Sequence, residues 1–136
     1  MPIRVLLADD HALVRQSVRV LLEQEGFEIV AEAGDGRDAV RLAAEVKADI
    51  AVLDFSMPRL NGLEAARELR VNVRAMRIVL LTAHDEPHYV AEALLAGVKG
   101  YVVKSRAATD LVPAIRHVLA GGTWLSPLPG PVEPGR

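Results

Sequence analysis

The sequence predicts an α/β domain built on a doubly wound, five-stranded parallel sheet, and three observations carry that expectation. Short apolar runs rich in branched residues alternate with segments of helical spacing, five of each along the chain. Three of the runs, Val5 to Ala8, Ile50 to Leu53 and Ile78 to Leu81, are apolar without interruption, as strands buried on both faces are. The 136 residues, 51% of them apolar, suit one compact domain.

The elements follow in order. Val5-Leu6-Leu7-Ala8 is the first strand. The next segment places Val14, Val18, Leu21 and Leu22 on one helical face and Arg15, Arg19 and Glu23 on the other, with Gly26 as terminator. Phe27 to Ala33, interrupted by Glu28 and Glu32, reads as a strand with one wetter side. Asp38 to Val46 is the second helix, Ile50 to Leu53 the third strand and Gly62 to Leu69 the third helix. Ile78 to Leu81 is followed by a helix from His88 to Leu95, closed by Gly97. Val98 to Val103, carrying Lys99, is the second of the wetter strands. Leu111, Ile115, Val118 and Leu119 mark the last helix, closed by Gly121-Gly122. Pro113 is tolerable there if Thr109 caps the helix and the proline falls near its first turn; an earlier start predicts a kink.

Parallel strands need crossovers, which are right-handed. The order 2-1-3-4-5 puts the three most apolar strands inside and the two wetter ones at the edges. Residues 1–122 then form the domain. Residues 123–136 hold four of the eight prolines and read as a Pro/Gly-rich linker or tail.

Composition excludes several functional classes. A net charge of -2 does not fit a strongly basic nucleic-acid surface, and the absence of cysteine excludes disulfides, thiolate zinc sites and thiol nucleophiles. Met1-Pro2-Ile3-Arg4 runs straight into the first strand without a signal peptide, and no apolar run is long enough to span a bilayer. A soluble, cytoplasmic chain is expected, without membrane contacts and without nucleic-acid binding of its own. The arginines at 67, 70, 74 and 77 straddle a helix end and a strand start and read as solvated surface.

In an open parallel sheet, ligands bind beyond the carboxyl ends of the strands where the order reverses, here between strands one and three. Asp9-Asp10 and Asp54 follow those strands, Thr82 ends the fourth and Lys104 the fifth. Three converging carboxylates repel one another and call for a cation, from Lys104, a metal or both. Oxygen-only donors point to magnesium, which keeps waters and pairs with phosphate oxygens. An ammonium, a hydroxyl and a divalent ion around one carboxylate suit phosphoryl transfer, with Asp54 as the nucleophile that becomes an aspartyl phosphate. Taken singly, the residues favour simpler readings, Asp10 as a helix cap and Lys104 as a surface lysine; the joint placement of all five at one sheet edge favours the site.

Leu7-Ala8-Asp9-Asp10-His11, Asp54 to Gly62, Leu81-Thr82-Ala83 and Gly100-Tyr101-Val102-Val103-Lys104 resemble the receiver domain of bacterial two-component response regulators. The resemblance spans residues 3 to about 122 and implies a flavodoxin-like (βα)5 fold. It implies Asp54 as phosphoacceptor, with Asp9, Asp10, Asp54 and the backbone carbonyl of Ser56 holding magnesium. Thr82 and Lys104 would contact the phosphoryl oxygens, and Tyr101 would be the aromatic switch that turns inward with Thr82. Ser56 and His84 match positions that modulate phosphoryl lifetime, whereas His11 and His88 read as exposed helix-end residues. The start of the chain and Gly121 to Pro127 resemble the branch that carries a LuxR-type helix-turn-helix output domain, expected outside this chain; the alternative is a stand-alone receiver acting through protein-protein contacts. A histidine kinase as partner and a homodimer on phosphorylation are implied, with regulatory self-phosphorylation and self-dephosphorylation rather than enzymatic turnover. Two other classes fit part of the pattern. One is a hydrolase with an aspartate nucleophile, which needs a second acid and a substrate cap; the other is an interaction module without phosphorylation.

Overall fold

The structure, a computed structural model, describes residues 2–84 and 86–126 and the backbone of 131–132. The elements are β1 (Arg4–Ala8), α1 (Ala12–Gln24), β2 (Glu28–Ala33), α2 (Gly36–Glu45), β3 (Ile50–Asp54), α3 (Gly62–Asn72), β4 (Arg77–Thr82), α4 (Pro87–Leu95), β5 (Gly100–Val103), a 3-10 turn (Lys104–Arg106), α5 (Ala107–Leu119), β6 (Thr123–Leu125) and β7 (Pro131–Val132).

Alternation along each strand explains the layering, since successive side chains point to opposite faces. Val5, Leu7, Ile50, Val52, Val79 and Leu81 meet Val18 and Leu22 of α1 and Leu111 and Ile115 of α5. Leu6, Ala8, Ala51, Leu53, Ile78 and Leu80 meet α2, α3 and α4 through Ala39, Ala43, Leu63, Leu69 and Ala93. The uninterrupted apolar runs are therefore the strands that serve two cores at once.

The strands lie in the order β2-β1-β3-β4-β5-β6-β7, so the expected 2-1-3-4-5 arrangement is present and extended. β6 joins β5 in parallel: the Trp124 amide donates to the Lys99 carbonyl at 2.9 Å and the Ser126 amide to the Tyr101 carbonyl at 2.7 Å. β7 returns antiparallel to β6. This corrects two expectations. β5 is not an edge strand, and Gly100, Tyr101 and Val102 are buried; β2 alone among the first five is an edge. The segment expected to be linker from residue 123 opens with a strand, three residues too short to stand out by composition. Residues 127–130 and 133–136 of that segment lie outside the described residues.

α5 starts at Ala107, with Arg106 at the cap position and no side-chain cap. Thr109 is therefore not the cap, and Pro113 stands inside a helix that runs unbroken to Leu119. The Thr109 hydroxyl instead lies 3.1 Å from the Arg106 carbonyl. The expected glycine terminators are in place, as Gly26, Gly97 and Gly121 all adopt positive φ, where a Cβ is strained.

Candidate functional site

The carboxyl ends of β1, β3 and β5 deliver the groups that sequence placed together. Asp9 follows β1, its amide tied to the Ala33 carbonyl of β2 and its own carbonyl held by Arg15 Nη1 at 2.6 Å. Asp54 closes β3. The close packing of α3 against it requires Gly62, where a Cβ would lie 2.3 Å from the Asp54 carbonyl oxygen. The start of α3 is fixed by a reciprocal pair, Asn61 accepting from the Glu64 amide and Glu64 accepting from the Asn61 amide.

Asp9 and Asp54 are 1% and 2% exposed, and one cation serves both. Lys104 Nζ lies 3.0 Å from Asp54 Oδ1 and 3.6 Å from Asp9 Oδ2. Burial pushes the Asp54 carboxyl above the usual aspartate range; Lys104 opposes the shift, nearby Asp9 adds to it, and the Ser56 amide lowers it. Asp9 Oδ2 and Asp54 Oδ2 are buried without a hydrogen-bond partner. Acceptor oxygens in that condition are costly unless a cation meets them.

One oxygen each from Asp9, Asp10 and Asp54, with a ring nitrogen of His11, come within 4.8 Å of one another. Three hard oxygen donors, two of them on nearly inaccessible side chains with an unpartnered oxygen, fit a small divalent ion such as magnesium. Asp10 is exposed at the mouth and bonds no helix amide; His11, not Asp10, holds the cap position of α1. Its Nδ1 lies 3.0 Å from Asp10 Oδ1, so the exposed helix-end residue expected from sequence also borders the acid cluster. Ser56 is exposed and shares with Asp10, Phe55, Met57, Pro58 and Asn61 the wall of a cleft of about 440 Å³.

Thr82 is fully buried at the end of β4, and its Oγ1 accepts from the His84 amide at 3.0 Å. Tyr101 is also buried, its hydroxyl donating to the His84 carbonyl at 2.6 Å. The loop after β4 is thus gripped from both sides, with Tyr101 in the inward position. The His84 ring stacks on Tyr89 at 4.5 Å between centroids and meets Phe55 edge-on at 5.3 Å. His88 is exposed and leans on Tyr89 at 4.1 Å.

Sequence reasoning did not single out Arg15, which orients Asp9, or Arg59, which adopts φ 67° and reaches Asp35 Oδ2 at 2.7 Å. Asp35 caps α2 through the Asp38 amide, so Arg59 ties the loop after Asp54 to the loop after β2. The Arg59 contact joins residues 24 apart in the chain, and the Arg15 contact bridges back from α1 to the end of β1. Only the Asp35–Asp38 spacing carried a local capping signal.

Comparison with known proteins agrees with this geometry. The sequence matches the response regulator receiver domain family over residues 5–116. It is 42% identical over 132 residues to the transcriptional regulatory protein PdtaR of Mycobacterium tuberculosis, covering 97% of this chain and 64% of that protein. It is 38% identical over 126 residues to the response regulator GacA of Pseudomonas aeruginosa, covering 92% of this chain and 59% of that protein. The chain thus spans about three fifths of the length of these relatives. Among solved structures, it superposes with a TM-score of 0.89 at 41% identity on a LuxR-family two-component response regulator from Aurantimonas sp. SI85-9A1, covering 93% of this chain and 91% of that one. A DNA-binding response regulator of the LuxR family from Staphylococcus aureus gives a TM-score of 0.81 at 31% identity, covering 86% and 98%. The chain belongs to the response regulator receiver domain family and is the receiver domain of a response regulator in two-component signalling.

Proposed function

We propose that this domain takes a phosphoryl group from a histidine kinase onto Asp54 in a magnesium-dependent reaction. The observation that carries the reading is the division of labour on one buried carboxylate. Asp54 Oδ1 is held by Lys104 at 3.0 Å, while Oδ2 has no hydrogen-bond partner, and the same carboxylate belongs to the acid cluster. A carboxylate oxygen attacks phosphorus as the bond from phosphorus to the donor's imidazole nitrogen breaks, its electron pair staying on that nitrogen. Asp9, Asp10, Asp54 and the Ser56 carbonyl are the residues to hold magnesium, which neutralises charge on the transferred group. Lys104 and Thr82 contact the phosphoryl oxygens.

The switch is a population shift. Drawing Thr82 Oγ1 toward the phosphate competes with the bond it accepts from the His84 amide, and the same loop is held by the Tyr101 hydroxyl. Phosphorylation therefore acts on the loop after β4 and on the surface of α4, β5 and α5, and through them on homodimerisation and a transcriptional output domain. Ser56 and His84, beside the site, set how long the phosphoryl group survives. The domain is a regulatory phosphoacceptor that works in the cytoplasm and reaches DNA only through its output domain. No helix among the described residues is long and apolar enough to cross a membrane. A phosphatase would need a further acid as proton donor and a substrate cap; the residues that follow Asp54 along the cleft, Phe55, Ser56, Met57 and Pro58, supply no acid, and Asp10 in that wall belongs to the carboxylate cluster.

The test is label incorporation from radiolabelled acetyl phosphate. Wild type is expected to label only with magnesium, and Asp54→Asn not to label. Equal labelling of the two proteins rejects Asp54 as acceptor.

A further inference from the structure

At the rim of the sheet opposite Asp54, a groove of about 690 Å³ runs between the C-terminal ends of α3 and α4. It is lined by Arg67, Arg70, Val71, Arg74, Leu95 and Ala96, three guanidinium groups and no carboxylate. Several arginines elsewhere in the molecule meet acids: Arg15 with Glu32, Arg37 with Glu68, Arg59 with Asp35 and Arg106 with Asp110. Arg67 and Arg74 have no ion-pair partner among the described residues. Arg70 donates to the Leu95 carbonyl at 2.8 Å, offsetting the exposed carbonyls that end α4. That local role does not extend to Arg67, which stands mid-helix in α3. In a chain of net charge -2, the groove concentrates unneutralised positive charge.

The same groove is apolar at its lip, where Val71 is 70% and Leu95 78% exposed. Guanidinium forks match carboxylates in geometry as well as charge. Aliphatic side chains beside them match leucine-like partners, whereas a nucleic-acid backbone would leave Val71 and Leu95 against charged oxygens. We propose that this groove docks an acidic, leucine-bearing polypeptide segment of a partner protein. The docked segment lays its carboxylates against Arg67 and Arg74 and its apolar side chains against Val71 and Leu95. The contact is small, so it is weak and salt-sensitive. It lies away from the acid cluster and does not depend on phosphorylation.

The probe is a fluorescein-labelled peptide of repeated Glu-Leu-Leu-Glu units, titrated with the full chain at low salt and read by anisotropy and by amide shifts in a 15N-labelled sample. Saturable binding with shifts confined to α3 and α4 is expected, weakened about fivefold in the Arg67→Glu, Arg74→Glu double variant by loss of two exposed pairs. Leu95→Ser, a surface change, is expected to weaken it as well, and Arg41→Glu on α2 to leave it unchanged. Circular dichroism and acetyl phosphate labelling check that each variant is folded. No binding, equal weakening by Arg41→Glu, or retained affinity in Leu95→Ser overturns the proposal. So does tighter binding of a single-stranded DNA oligomer of matched charge, which assigns the groove to nucleic acid. Concentration-dependent self-association that blocks the peptide overturns it in favour of a second copy of this chain.

Discussion

Lys104 is the residue on which the charge balance of the site turns. Its ammonium is the cation shared by two aspartates that are almost wholly withdrawn from water, while 27% of its own side chain remains exposed. Replacing it by methionine keeps the stem and leaves two buried carboxylates without compensation. The expected loss is about 2 kcal/mol in metal-free buffer, less than the roughly 3–5 kcal/mol of a fully buried pair because water reaches the lysine. Magnesium is expected to restore part of that loss, since a divalent ion would meet the same oxygens, including the two that have no hydrogen-bond partner. Urea midpoints of Lys104→Met with and without magnesium measure this. A midpoint indifferent to the ion would separate the acid cluster from metal binding.

At the scale of elements, β6 shows what local sequence could and could not convey. The first five strands were readable because each interior strand is apolar on both faces, and Asp9, Asp54 and Lys104 were readable as a group because all three follow strand ends. β6 is held instead by contacts distant in the chain. The Ser126 hydroxyl donates to Asp110 Oδ2 at 2.7 Å, and Arg106 Nε reaches the same oxygen at 2.9 Å. Three residues with a proline close behind give no periodicity to read, so β5 looked like an edge. Thr109 looked like a cap for a similar reason, because the 3-10 turn at Lys104–Arg106 that starts α5 early has no sequence signature. Hydrogen bonds from Arg106 hold the Asp110 carboxyl below the usual aspartate range, burial opposes them, and Ser126 adds to the lowering. A carboxyl depressed in the folded state contributes stability that is complete above its unfolded value, about 3.9, and is lost as pH falls through the lower folded value. Trp124, the only tryptophan, is therefore expected to report an unchanged β6 from pH 7 down to about 4 and a loosened one below. Asp110→Ala is expected to loosen β6 at pH 7, costing about 1–3 kcal/mol through the stranded, buried Ser126 hydroxyl. Trp124 fluorescence across a pH series of both proteins checks it.

For the molecule as a whole, the sheet joins two ends with different chemistry, and the path from Asp54 to the following chain is short. Lys104 follows β5 at the site, Arg106 lies two residues on, and Asp110 and Ser126 carry the connection into β6. β6 also occupies the side of β5 that would otherwise offer unpaired backbone groups to a second molecule. A phosphorylated dimer formed by pairing β5 edge to edge would first have to expel β6, breaking the bonds from Trp124 to Lys99 and from Ser126 to Tyr101. A dimer built on helical faces would not. The second route leaves the sheet intact, and it is the one we expect. Sedimentation should show association when the domain is labelled with acetyl phosphate and magnesium, while hydrogen exchange at the Trp124 and Ser126 amides stays as slow as in the unlabelled monomer. Fast exchange at those two amides in the dimer would mean that the strand after α5 is released on activation, and that its displacement rather than a helical contact carries the signal onward.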